Sequence, residues 1–141
     1  MERYKQRMKE ITRRNRGTSA KDVIDELRRY VTGWANYFGI SHTYRVVLEM
    51  DEWIRRRVRL YYLKLWKRPR TRRRNLLKLG ANPDKVHMAT WSRKRYWRMS
   101  RNKIVYQCLN NRWLKEQKVP EMREIWIKLQ YGGKSRPVHI L

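Results

Sequence analysis

Between Trp53 and Asn75 the chain places eleven Lys or Arg and no acidic residue. Over the wider interval from Glu52 to Glu116, Asp84 is the only acid between the ends, set against twenty-one basic residues. Positive charge this dense has almost no neighbour in sequence to neutralise it. Like charges four residues apart destabilise a helix by about 0.2–0.5 kcal/mol per pair, so whatever forms here must be held by apolar contacts. Those contacts are written into the same stretch. If positions 46 to 67 form one helix, Val47, Met50, Ile54, Val58, Tyr61 and Leu65 recur at spacings of three and four as a single apolar stripe. The stripe is the expected buried side. At roughly 100° per residue, Arg56, Arg59 and Lys67 fall opposite it and Arg55 and Lys64 on its shoulders, so the anchored helix is expected to present cations outward in rows. A solvated helix face ordinarily mixes signs; one this uniformly positive suits a dense polyanion.

The chain can build the core that such a helix requires. Its 141 residues correspond most simply to one domain, large enough to bury roughly two-thirds of its unfolded surface. A hydrophobic fraction of 40%, with seven Trp and nine Tyr against one Phe, argues against disorder despite a formal net charge of +25. Trp and Tyr pack on one side while hydrogen-bonding, or stacking on a base, on the other. The single Cys108 excludes an intramolecular disulfide framework, and His42, His87 and His139 lack metal-ligand spacing, so no zinc site and a reducing compartment are expected. The chain has no apolar run of about 18 residues. The opening MERYKQRMKE also lacks the apolar core of a signal peptide. A spanning or secreted protein is therefore not expected, and a basic membrane-surface helix is the weaker alternative.

Taken in order, residues 1–16 read as a charged helix with sparse anchors, Tyr4, Met8 and Ile11, that must lean on an upstream domain or on this one. Residues 17–91 read as the main helical domain. Thr18 or Ser19 can cap a helix from Ala20 to Phe38 that carries Ile24, Leu27, Val31, Trp34 and Phe38 on one stripe. Gly33 inside it costs about 1 kcal/mol relative to Ala, which suggests close packing at that point. After the basic helix Pro69 breaks the pattern. A short basic helix from Thr71 to Leu79 is expected to end at Gly80, and Asn82-Pro83-Asp84 to start a helix running to Trp91. Residues 92–141 read as a C-terminal helical extension packed on that domain. Within it, Ser92 to Arg98 interleaves four cations with Tyr96 and Trp97, rings that either stack on bases or pin a basic loop to the core. A helix from Asn102 to Gln117 anchored by Val105, Cys108, Leu109 and Trp113 follows, and then a last helix after Pro120 with Met122, Ile125, Trp126 and Leu129. The predicted fold is all-α, a compact bundle of about six helices with a strongly basic face.

A resemblance becomes visible at this point. The run Leu27-Arg28-Arg29-Tyr30-Val31-Thr32-Gly33-Trp34-Ala35-Asn36-Tyr37-Phe38, then Asp51-Glu52-Trp53-Ile54-Arg55-Arg56-Arg57, Trp66-Lys67 and Leu76-Leu77-Lys78-Leu79-Gly80 resembles the maturase-specific domain, or domain X, of group II intron-encoded proteins. Tyr96-Trp97-Arg98-Met99-Ser100, Leu114 and Trp126-Ile127 to Tyr131-Gly132 extend the likeness, whose most specific part is Gly33 to Tyr37 with Trp53-Ile54. The resemblance implies the thumb-like helices that follow a reverse transcriptase, with group II intron RNA as partner. It also implies template-primer or target DNA and an attached polymerase domain as further partners, and the bacterial cytoplasm as location. The Tyr-X-Asp-Asp polymerase motif is absent and one cysteine excludes the zinc form of the family's endonuclease module. The chain is therefore not expected to be an enzyme by itself.

The chain also lacks a residue pattern for catalysis. No Gly-rich phosphate loop exists, and the best carboxylate cluster, Glu49, Asp51 and Glu52, has oxygens that Mg²⁺ takes but a simpler role near a helix start. No catalytic residue, metal or cofactor is expected, since Mg²⁺ would belong to the RNA. The residues expected on RNA are Arg55, Arg56, Arg59, Lys64 and Lys67 on the long helix, then Arg68, Arg70, Arg72, Arg73, Arg74 and Lys78 after it. Arg93, Lys94, Arg95 and Arg98 join them from the aromatic loop. Arg outnumbers Lys nine to two in Trp53 to Asn75, and its fork can make two hydrogen bonds to phosphate. The expected core comprises Ile24, Leu27, Val31, Gly33, Trp34 and Phe38 with Trp53, Ile54, Val58, Tyr61 and Leu65. The expected function is to bind folded intron RNA and stabilise its active form, so that the RNA catalyses splicing. The rival readings are a non-specific nucleic-acid-binding protein, an unrecognised nuclease, and a thumb-like subunit of a split reverse transcriptase docking through Tyr4, Met8 and Ile11.

Overall fold

The structure, a computed structural model, describes residues 2–13, 19–38, 43–90, 98 and 100–131. Its described residues form eight helices and no strand: α1 (Glu2–Ile11), α2 (Ala20–Phe38), α3 (Tyr44–Leu65), α4 (Pro69–Lys78), α5 (His87–Thr90), α6 (Lys103–Cys108), α7 (Asn111–Glu116) and α8 (Met122–Tyr131). No helix among them is long and apolar enough to cross a membrane.

Helix ends follow the local chemistry. Ser19 Oγ accepts the Asp22 N–H at 3.2 Å to start α2, and Thr43 Oγ1 accepts the Val46 N–H at 3.4 Å to start α3. Pro69 occupies the first turn of α4, where its missing N–H costs nothing. Gly80 ends that helix at φ 97°. Its N–H and that of Ala81 reach back to the Leu77 and Leu76 carbonyls at 3.1 and 3.0 Å, closing the terminus.

The core forms where the stripes of α1, α2, α3 and α8 meet. α8 lies against both α2 and α3, α1 against α2, and α4 against α5. Tyr4, Met8 and Ile11 are buried within this chain, so the sparse anchors of α1 lean on the domain itself. They do not form the exposed docking surface that a split-polymerase reading required of them. Ile24, Leu27 and Val31 are buried as the α2 stripe predicts. Trp34 and Trp53 are half-buried at the core's margin, Trp34 with its ring 4.7 Å from that of Tyr4.

Several expectations give way to tertiary context. Gly33 is exposed, and a Cβ built on it would meet nothing within 4 Å, so no close approach explains it. The side chain of Phe38 lies outside the described residues. Val47, Met50, Ile54, Val58 and Tyr61 are buried, but Leu65 is 39% exposed. The six consecutive residues from Val58 to Leu63 are buried too, because neighbours enclose this half of α3 on more than one side. Trp113 of α7 packs edge-on against Tyr62 at 4.9 Å, and Arg72 of α4 reaches the Leu63 carbonyl at 3.2 Å. The helix expected from 102 to 117 is two helices, since Asn110 turns its side chain to accept the Trp113 N–H at 2.8 Å and restarts the chain. The expected helix from Pro83 to Trp91 is, as far as Thr90, a turn followed by the single turn α5, with the Asn82 side chain accepting the Asp84 N–H at 2.8 Å at its start as expected of a cap; Trp91 lies outside the described residues.

Candidate nucleic-acid interface

The cations of the α3–α4 region divide into an exposed group, an inward-bonded group and three half-buried residues between them. Lys67, Arg68, Arg70, Arg73, Arg74 and Lys78 are exposed. On α4 the inward positions are Arg72 and Leu76, so Arg70, Arg74 and Lys78, spaced by four, form a row on the outer side. Among the described residues none of these six takes part in an ion pair. Elsewhere, acids and bases do find each other: Arg7 bonds Glu10 and Glu26, Arg45 meets Glu49, Arg112 meets Glu116 and Lys115 meets Glu124.

The second group points inward and holds the helices together. Arg59, expected on the RNA-facing side, is 2% exposed. Its Nε donates to the Leu109 carbonyl at 2.7 Å, its Nη2 to Asn111 Oδ1 at 2.9 Å, and its guanidinium lies 4.4 Å from the Tyr106 ring centre. Arg72, also expected on RNA, is 4% exposed and donates to the Leu63 and Thr90 carbonyls at 3.2 and 3.4 Å. Arg57 donates through Nε to Thr12 Oγ1 at 2.8 Å and through Nη2 to the Lys9 carbonyl at 3.5 Å. Burial pushes the Arg57 and Arg59 pKa values down from the usual guanidinium range. The physical reason for these placements is shared. Lys9, Leu63, Thr90 and Leu109 sit at the C-terminal ends of helices, where carbonyls lack an intrahelical donor and the dipole favours a cation.

Arg55, Arg56 and Lys64 are half-buried. Arg56 Nε donates to Ser100 Oγ at 3.2 Å, and burial, then the charge of Arg57, pushes the Lys64 pKa down. Arg98 is exposed. Arg93, Lys94 and Arg95 lie outside the described residues, as do Tyr96 and Trp97, and so does the choice between stacking and pinning.

The acidic cluster is taken apart by the fold. Glu49 pairs with Arg45 at 3.5 Å. Asp51 is 3% exposed and accepts the backbone N–H groups of Met122 at 2.7 Å and Arg123 at 3.0 Å. It thus caps α8 from the middle of α3. Burial outweighs these two hydrogen bonds and pushes its pKa up to about 6. Among the described residues no three His, Cys, Asp or Glu are grouped to hold a metal ion. Arg101 and Tyr106, absent from the sequence-based set, line a cavity with Arg55 and Arg56. Arg101 lies in the same acid-poor interval, and Tyr106 is an aromatic off the stripe of its helix, but nothing in the sequence brings them to α3.

Residues 1–80 match the protein family described as group II intron, maturase-specific domain. The chain belongs to this family. No curated protein matches the chain. The matched region of this maturase domain runs from α1 through α4, so Arg57, Arg59 and Arg72 and the exposed row on α4 all fall inside it. The partners of Arg59 and Asp51 fall outside, at Leu109, Asn111 and Met122. The likeness read between Tyr96 and Gly132 likewise lies beyond the matched residues.

Proposed function

We propose that this maturase domain binds folded group II intron RNA through the outer face of α4 and the turn before it. By doing so it stabilises the fold in which the RNA catalyses its own splicing. The observation that carries the reading is the row Arg70, Arg74 and Lys78, with Lys67, Arg68 and Arg73 beside it, exposed and outside any ion pair among the described residues. Folding a large RNA crowds its phosphates, and cations offset that repulsion while releasing condensed counterions. Fixed cations do more than mobile ones. Arg72 ties α4 to the ends of α3 and α5, so the row above it is held where one arrangement of phosphates fits and others do not. Differential affinity of that kind shifts the RNA population toward the arrangement that fits.

The domain supplies no catalytic group in this scheme; the chemistry and its Mg²⁺ belong to the RNA. With a polymerase domain attached, the same face is suited to guide template-primer or target DNA, whose backbones present the same charges. The decisive experiment is a splicing assay of a group II intron at low Mg²⁺ with and without the polypeptide. It is paired with competition between the folded intron and duplex DNA at matched salt. Faster splicing with preferential intron binding is expected. Equal competition by duplex DNA with no effect on splicing would reduce the domain to a non-specific nucleic-acid binder.

A further inference from the structure

One cavity of about 520 Å³ opens between α3 and the stretch from Arg101 to Asn111, lined among the described residues by Glu52, Arg55, Arg56, Arg59, Arg101 and Tyr106 with others. Its size lies in the range of small-ligand sites. Its walls are chemically divided. Arg101 is exposed and Arg55 half-buried, while Arg56 is oriented by its bond to Ser100, a buried residue just before Arg101. Burial first, and then the nearby charge of Arg101, pushes the Arg56 pKa down; both guanidinium groups line the cavity, so a phosphate entering it meets two cations. Tyr106 is 42% exposed, with Arg59 against its ring, and the Arg59 guanidinium is itself fixed by Leu109 and Asn111. The ring is thus a positioned platform of the kind on which a base stacks.

Glu52 decides what that base is. The cavity's other carboxylate, Glu49, is paired with Arg45 at 3.5 Å, whereas the exposed carboxylate of Glu52, one turn before Arg56, forms no ion pair among the described residues. A phosphate would be repelled by it, so the ligand must bring hydrogen-bond donors to this side. Guanine carries a ring N–H beside an exocyclic NH₂, two parallel donors that match one carboxylate. Adenine and cytosine offer an amino group alone, and uracil one imide N–H. We propose that this cavity receives a single unpaired guanosine nucleotide turned out of the RNA, its phosphate on Arg101 and Arg56, its base on Tyr106 and its donor edge on Glu52. Unstacked bases are where proteins read RNA sequence, so the α4 row would supply affinity for shape and this cavity a point of selectivity. The inference rests on the intron-RNA reading given above.

The test uses the full chain titrated with GMP, AMP, CMP, UMP and inorganic phosphate, followed by chemical-shift changes at Tyr106 and the arginine side chains. GMP is expected to bind at least about tenfold tighter than the other three, near the low end of what one bidentate base-edge contact discriminates. Glu52→Gln should bring GMP down to the level of AMP while leaving AMP unchanged. Arg101→Ala should weaken all four nucleotides together. Equal binding of the four, phosphate binding as tightly as GMP, no saturable GMP binding, or a guanine preference that survives Glu52→Gln would each overturn the proposal. Folded intron RNA is titrated in parallel. If the RNA binds and the guanine preference is absent, only the cavity assignment falls. If the preference is present and intron RNA does not bind, the intron-RNA reading falls and the cavity stands as a nucleotide site.

Discussion

Asp51, on α3, accepts the backbone N–H of Met122 at 2.7 Å across 71 positions of chain. A carboxylate that the sequence groups with Glu49 and Glu52 near a helix start is therefore the device that fixes where α8 begins. The bond also decides how the last helix, which lies against both α2 and α3, is held to the long one.

The same burial makes Asp51 a source of pH dependence with an unusual sign. Its pKa rises from an ordinary 3.8 to about 6 in the folded protein, so the folded state binds this proton more tightly than the unfolded chain does. Its contribution to stability is fully present below the ordinary value and is lost as pH rises through about 6. Measured against Asp51→Asn, whose amide does not titrate, the wild type should gain roughly 2 kcal/mol on acidification from pH 7 to pH 4. Urea midpoints of the two proteins at several pH values check this, and a constant difference between them would refute it.

Arg59 gives a second test, because removing it should hurt folding rather than binding. Arg59→Ala leaves the Leu109 carbonyl and the Asn111 amide oxygen without this donor, in a site where a charged hydrogen bond contributes about 1.5–3 kcal/mol. A loss of about 2–3 kcal/mol by chemical denaturation is expected. In the fraction that remains folded, the salt dependence of RNA binding should match that of the wild type. A stable variant with a flatter salt dependence would mean that Arg59 meets phosphate after all.

The contrast between these residues marks what a sequence can disclose. Periodicity found the buried faces of α1 and α2, where Tyr4, Met8 and Ile11 and then Ile24, Leu27 and Val31 are all buried. It failed for the second half of α3, where Arg59 lies opposite the apolar stripe and is buried all the same. An angle around one helix says nothing of a second neighbour on the far side. The break at Leu109 and Asn110 was equally hidden, for it is stabilised by the Asn110 cap and by Arg59 from 50 residues away. Charge density did point to the α4 row. It could not separate Arg70 from Arg72, because the difference lies in which carbonyls happen to be within reach.

Gly33 offers a simpler check. It sits within α2, is exposed, and has no atom within 4 Å of where a Cβ would stand. Its cost in a helix interior is about 1 kcal/mol relative to Ala, part of it conformational entropy in the unfolded chain. Gly33→Ala should therefore raise stability by about 0.5–1 kcal/mol. Destabilisation on thermal or urea unfolding would reveal a close approach that the described residues do not make.

The exposed row on α4 yields the most direct test of the proposed RNA surface. Replacing Arg70, Arg74 and Lys78 by Ala removes side chains that are exposed and form no ion pair among the described residues. Surface changes of this kind usually alter stability by less than about 0.5 kcal/mol each, and Ala favours the helix, so the fold should persist. RNA binding should weaken. Each lost phosphate contact lowers the slope of log affinity against log salt by about 0.7–0.9, so the triple variant should flatten it by about 2–3 if all three cations meet phosphates. The matching control replaces Arg45 and Arg112, which lie in exposed pairs with Glu49 and Glu116, and should leave the slope within error. An undiminished slope in the α4 variant, with helicity intact by circular dichroism, would move the interface to another face of the domain.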